Sequence, residues 1–125
     1  GEGWDNAVDG DTQGWDGTVT ASDKPPYAIF AFADNSTKSV FKIRLMTDTG
    51  VGFRSRWVTQ FSVKVSTTDT NASSFILLLN KAAKNGGAWQ EYPLPPTQAK
   101  YIKLILDQPS SGWWQIGEFE VYVNQ

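Results

Sequence analysis

Apolar and polar residues alternate along most of this chain. In "SVFKIRLMT" Phe41, Ile43 and Leu45 fall on one side and Lys42 and Arg44 on the other. "TQFSVKVS" sets Phe61, Val63 and Val65 against Ser62, Lys64 and Ser66. "AKYIKLILD" sets Ile102, Leu104 and Leu106 against Lys103, and "GEFEVYV" sets Phe119, Val121 and Val123 against Glu118 and Glu120. A repeat of two marks a strand with one buried face, because successive side chains leave opposite sides of the backbone. "YAIFAFA" and "FILLL" are apolar on both sides and predict buried strands; "AWQEYPL" predicts a shorter one.

Turn-formers separate these runs: "SDKPP", "ADNST", "DTGVG", "TTDTNASS", "KNGG" and "DQPSSG". Only "NKAAKN" suits a helical turn. The spacing predicts seven or eight short strands in an all-β, antiparallel β-sandwich. A single domain over residues 1–125 accounts for the whole chain, with no repeat, linker or low-complexity tract. Sandwiches gather their loops at two ends, so function is expected there.

Composition narrows the chemistry. Cysteine and histidine are both absent, which excludes disulfides, cysteine-held zinc and the Ser-His and Cys-His nucleophile pairs. Oxygen-ligated cations stay open. A net charge of −2 and a pI near 5.0 give no reason to expect nucleic acid or anionic membranes. No apolar run approaches the roughly 20 residues that span a bilayer, so membrane insertion is not expected. A start at Gly1 rather than Met leads us to expect a module excised from a larger protein, or a processed product. The sequons at Asn35 and Asn71 matter only for a eukaryotic secretory source.

The first 22 residues differ in kind, being polar and carrying Asp5, Asp9, Asp11 and Asp16. Read as an EF-hand loop, "NAVDGDTQGWDG" fails: Thr20 stands where the bidentate glutamate belongs. Two readings stay open, a cation loop closed by a glutamate from elsewhere, and aspartates that only cap turns.

Two further stretches carry candidate chemistry. In "SSGWWQIGEFEVYVNQ" Trp113 and Trp114 are adjacent, so a regular strand would send them to opposite faces. Counted back from Phe119, Val121 and Val123, Trp113 points inward and Trp114 outward, although Ile116 breaks the parity and Gly112 and Gly117 permit a bulge. "TGVGFRSRW" holds Phe53, Arg54 and Arg56 in a loop entering a strand, and two guanidiniums there can clamp a carboxylate or sulfate. Lys24, Tyr27 and the "NKAAKNGG" loop extend the candidate rim.

Four segments in order, "NAVDGDTQGW", "RWVTQFSVKVSTTDT", "AKYIKLIL" and "WQIGEFEVY", resemble the F5/8 type C (discoidin) domain, and more narrowly its bacterial branch, the family 32 carbohydrate-binding modules. The resemblance implies an eight-stranded jelly-roll sandwich with its termini together and a structural Ca²⁺ between them. Carried over by position, the ligands would be the Ala7 carbonyl, Asp9, Asp11 and Glu118. The sequence departs where the family has a threonine two residues before its tryptophan. Gly14 can offer a carbonyl there, and Asp16 can replace the hydroxyl. Trp15 and Trp89 fall where the family uses core aromatics, and Trp113 and Trp114 fall in the loop that often stacks on sugar.

These readings give a non-catalytic module that holds an oligo- or polysaccharide, acidic if Arg54 and Arg56 dominate. It would tether a secreted or surface-bound bacterial polysaccharide-degrading enzyme and be monomeric in isolation. The alternative is a discoidin-type adhesion module for a protein or lipid, which usually carries a cysteine pair that this chain lacks. An enzyme is not expected: Glu118 and Glu120 share a strand face, and histidine is missing.

Overall fold

The computed structural model describes residues 15–17, 27–47, 58–84, 88–109, 114–116 and 118–124. Among the described residues nine strands run in order: β1 (Trp15–Gly17), β2 (Tyr27–Ala31), β3 (Lys38–Met46), β4 (Val58–Ser66), β5 (Ile76–Ala82), β6 (Gln90–Ala99), β7 (Tyr101–Pro109), β8 (Trp114–Ile116) and β9 (Glu118–Asn124). They form a four-stranded sheet ordered β2-β7-β4-β5, a three-stranded sheet ordered β6-β3-β9, and a short β1-β8 pair. Every pairing is antiparallel. The expected all-β sandwich is what the chain builds. Among the described residues no helix is long and apolar enough to cross a membrane.

The core lies between the two larger sheets. Val40, Ile43 and Leu45 of β3 and Phe119 of β9 face Phe61, Val63 and Val65 of β4 and Ile102, Leu104 and Leu106 of β7, all nearly or fully excluded from solvent. Tyr92 packs edge-on against Phe61 at 5.1 Å between centroids. Burying each such side chain contributes on the order of 2 kcal/mol, so these stripes fix which face of each strand turns inward.

Alternation misplaces one residue. The register of β3 slips between Val40 and Lys42 against both neighbours: against β9 Phe41 is the extra residue of a bulge, and against β6 the surplus residues are Leu94, Pro95 and Pro96. Val40, not Phe41, joins the core, and Phe41 lies half-buried, edge-on to Tyr122 at 6.3 Å. The bulge keeps both Val40 and Ile43 inside.

The two-sided apolar runs are edges rather than centres. β2 and β5 flank the four-stranded sheet, with Tyr27, Ile76 and Leu77 each more than half exposed. β6 is longer than "AWQEYPL" suggests and includes Pro93, Pro95 and Pro96. It too is an edge strand, where missing N–H donors are tolerated. "NKAAKN" forms no helical turn in its described part, since Asn80–Ala82 belong to β5; a 3-10 turn forms instead at Ala72–Ser74.

Candidate functional site

Strand register decides which loops meet. Val58 at the start of β4 lies opposite Pro109 at the end of β7, and Gln60 lies opposite Ala82 at the end of β5. Tyr27, opening β2, pairs with Ile105 at the middle of β7, while Ala31 at the other end of β2 pairs with Tyr101, which opens β7. β2 therefore starts on the Pro109 side, and the chain just before Tyr27 lies outside the described residues. Leu45, near the end of β3, sits between Gln90, which opens β6, and Phe119, near the start of β9. All these strand ends therefore lie toward one end of the sandwich.

The segment before β2 carries Lys24, residues 48–57 carry Phe53, Arg54 and Arg56, and residues 110–113 carry Trp113. Each departs from or arrives at that end, as does the β5–β6 connection. Lys24, Phe53, Arg54, Arg56 and Trp113 themselves lie outside the described residues, as do Trp4 and Trp57. Trp114 opens β8 opposite Gly17 of β1. Because β8 pairs with β1 and β9 pairs with β3, the two strands are separate, and a parity count from Phe119 back to the tandem tryptophans does not carry through.

The described base of this end is tightly fastened. Thr47, fully buried just past β3, donates its hydroxyl to the Lys84 carbonyl at 2.6 Å. Gln90 accepts from the Lys84 backbone N–H at 2.8 Å and donates to its carbonyl at 2.6 Å. The Tyr92 hydroxyl reaches the Gln90 side chain at 3.0 Å, and partial burial pushes that hydroxyl's pKa up. Thr59 donates to the Gln108 carbonyl at 3.1 Å, and Ala83 donates its N–H to the Thr59 carbonyl at 2.9 Å. Sequence reading passed over Thr47, Gln90 and Tyr92, because a polar residue at a strand end looks solvated until the partner loop is in place.

Trp89, expected in the core, lies instead half-buried on the outer face of the three-stranded sheet. The Arg44 guanidinium covers it, with its central carbon 3.9 Å from the ring centroid. Arg44 also pairs through Nε with Glu120, which holds its pKa above the usual arginine range. Tyr122 donates its hydroxyl to Glu120 at 3.1 Å and has the Lys42 ammonium 4.2 Å from its ring. Lys42 in turn pairs with Glu91 at 3.4 Å. Each cation on this face thus has a carboxylate beside it and a ring beneath it.

Of the proposed cation ligands, Ala7, Asp9, Asp11 and Gly14 lie outside the described residues. Asp16 sits in β1 opposite Gln115, so β1 pairs with β8, the strand that precedes Glu118. Glu118 lies opposite Met46 and is 1% exposed. A hard, oxygen-seeking cation suits a carboxylate donor. Among the described residues no three Asp, Glu, His or Cys side chains gather to hold a metal.

Comparison places the chain among known domains. The F5/8 type C domain profile matches residues 1–119. No curated protein matches the sequence. Among solved structures, a family 32 module from Clostridium perfringens in complex with GalNAc-β-1,3-galactose superposes with a TM-score of 0.75 at 17% identity, covering 94% of this chain and 81% of that one. The family 32 module of AlyQ, in complex with 4,5-unsaturated mannuronic acid, gives 0.71 at 21% identity, covering 94% and 84%. A truncated AlyQ with both that module and alginate lyase domains gives 0.68 at 18%, covering 97% of this chain and 29% of that one. At these identities the likeness is one of fold.

Proposed function

The chain belongs to the F5/8 type C domain family, and on that footing we propose that it is a non-catalytic carbohydrate-binding module whose loops at one end of the sandwich hold an oligo- or polysaccharide. One observation carries the reading: strand register brings the flanks of the loops bearing Lys24, Phe53, Arg54, Arg56 and Trp113 to a single end, with Trp114 opening the adjoining strand. An indole face suits the C–H side of a sugar ring, and arginines give directional bonds to hydroxyls or carboxylates. Structural neighbours bound to a neutral disaccharide and to an unsaturated uronic acid support the ligand class, and the arginine pair favours an acidic polymer. The neighbour that joins such a module to lyase domains supports a tethering role on a secreted bacterial enzyme.

A structural Ca²⁺ belongs to the same reading. Glu118 would close the site from β9, with Ala7, Asp9, Asp11, Gly14 and Asp16 supplying oxygens from the N-terminal chain. When bound, the ion would cross-link the two ends of the chain. The module would act as a monomer.

Affinity electrophoresis against neutral and acidic polysaccharides tests the reading, with Trp113→Ala and Trp114→Ala run beside the native protein. Retardation by one polymer, lost in one tryptophan variant that keeps its melting temperature, is the expected result. Absence of retardation in every gel would overturn it.

A further inference from the structure

The two sheets treat their outward charges in opposite ways. On the three-stranded sheet each outward cation faces an acid: Arg44 lies in register between Glu91 and Glu120, and Lys42 pairs with Glu91. On the four-stranded sheet one register row reads Ile29, Lys103, Lys64, Leu77, so that two lysines stand directly opposite each other on adjacent strands. Strands lie about 4.8 Å apart, and like charges so placed are destabilising.

Among the described residues no carboxylate pairs with either lysine. The ion pairs among the described residues are Lys38–Asp34, Lys42–Glu91 and Arg44–Glu120, and neither Lys64 nor Lys103 takes part. Asp107, on the same face, is engaged by the Ser62 hydroxyl at 2.6 Å and the Asn80 amide at 3.3 Å. A sequence that solves the same problem with glutamates on one sheet and leaves it open on the other keeps the positive charge for something outside the chain.

The surroundings say what that is. Lys103 lies 4.3 Å from the Tyr27 ring, which is 54% exposed, and 5.5 Å from that of Phe75. Lys100 lies 5.7 Å from the Tyr101 ring, which shares a register row with Ala31 and Ser66. The next row adds the exposed amide of Asn80, to which Gln60 donates at 2.5 Å. Lysines, the exposed Tyr27 ring and an exposed amide on one sheet face match a ligand that combines carboxylates, C–H faces and hydroxyls.

We propose that the outer face of the four-stranded sheet is a second binding surface, which takes a uronate-bearing polysaccharide chain with a carboxylate between Lys64 and Lys103 and a sugar ring against Tyr27. Charge complementarity carries the assignment: an anion between the two ammoniums removes the repulsion that the fold leaves in place. The net charge of −2 disfavours a nucleic acid as the occupant. The surface meets the loop end at Tyr27, which opens β2, but Lys64 and Lys103 lie within their strands, so the lysine site stands whether or not the loops bind sugar.

The test is affinity electrophoresis in polygalacturonate gels at low and moderate salt, with Lys64→Gln/Lys103→Gln, Tyr27→Ala and Trp114→Ala compared with the native protein. A neutral galactan gel and a single-stranded DNA gel run in parallel. We expect the double lysine variant to lose at least about fivefold in polygalacturonate affinity and most of its salt dependence, with unchanged behaviour in galactan. Its melting temperature should equal or exceed that of the native protein, because the opposed charges are gone. Unchanged polygalacturonate affinity in that variant would overturn the proposal. So would a native protein that polygalacturonate fails to retard, or that DNA retards more strongly. Failure of the loop reading shows separately, as Trp114→Ala and Trp113→Ala, run alongside, both behaving like the native protein in every gel.

Discussion

The guanidinium of Arg44 lies 3.9 Å from the ring centroid of Trp89 while its Nε meets Glu120, so one side chain joins a tryptophan beside the loop end to the last strand of the sandwich. The pair shows how a residue whose position suggested core packing can be held by a cation on the surface instead. Cation–π contacts of this kind depend on the ring quadrupole and persist where simple ion pairs are screened. A double-mutant cycle on Arg44→Ala and Trp89→Ala should give a favourable coupling that survives about 0.5 M salt, whereas the Lys38–Asp34 coupling should fade at a Debye length near 4 Å.

The bulge in β3 predicts an inverted pattern of core sensitivity. Ile43→Ala removes a fully buried side chain and should cost about 3 kcal/mol in urea unfolding. Phe41→Ala, the larger truncation on paper, should cost about 1 kcal/mol or less, because Phe41 stands outside the core. Equal losses would mean that alternation runs unbroken through β3.

Asp34 predicts an acid-resistant turn. Its carboxylate accepts from the Ser36 hydroxyl at 2.7 Å, the Ser36 N–H at 3.1 Å and the Lys38 ammonium at 3.1 Å. These bonds, led by the Ser36 hydroxyl, lower its pKa to about 2. A depressed folded pKa contributes stability that is complete above the ordinary aspartate range and is lost as pH falls through about 2. The turn, in which Asn35 takes a φ of 57°, should therefore hold at pH 3, with the Asp34 carboxyl resonance moving only near pH 2. A midpoint near 3.8 would contradict the bonding.

Glu118 predicts metal-linked stability. If Ca²⁺ joins the N-terminal chain to β9, a chelator should lower the melting temperature of the native protein and leave Glu118→Gln unaffected. At a free concentration a hundredfold over Kd, the ion would supply about 2.7 kcal/mol. Identical melting with and without chelator would remove the ion from the proposed function.

Period-two patterning was enough to read the class of fold and most of the core, because Phe61, Val63, Val65, Ile102, Leu104 and Leu106 sit in unbroken strands. It failed at Phe41, where a bulge changes parity with no glycine or proline in β3 itself to mark it; Pro95 and Pro96 stand at the slip on β6 instead. It failed again at "FILLL", since apolarity on both sides is equally the mark of a buried strand and of an edge with exposed Ile76 and Leu77. Trp89 misled because indoles are buried on average, and its partner Arg44 lies 45 residues earlier in the chain. The opposed lysines were visible as outward residues of two strands, but only register puts them face to face. As for the candidate site, sequence named the loops, and strand pairing brings their flanks to one end.

The two sheets also differ in how they end. β6 closes the three-stranded sheet with three prolines, which withhold N–H donors from any incoming strand, whereas β5 closes the four-stranded sheet with Ile76 and Leu77 bare. Crowded side by side along a polymer, neighbouring copies will adhere flank to flank through β5 before they do so through β6. Leu77→Lys, which puts a charge on that seven-residue strand, is the smallest change expected to weaken such a contact.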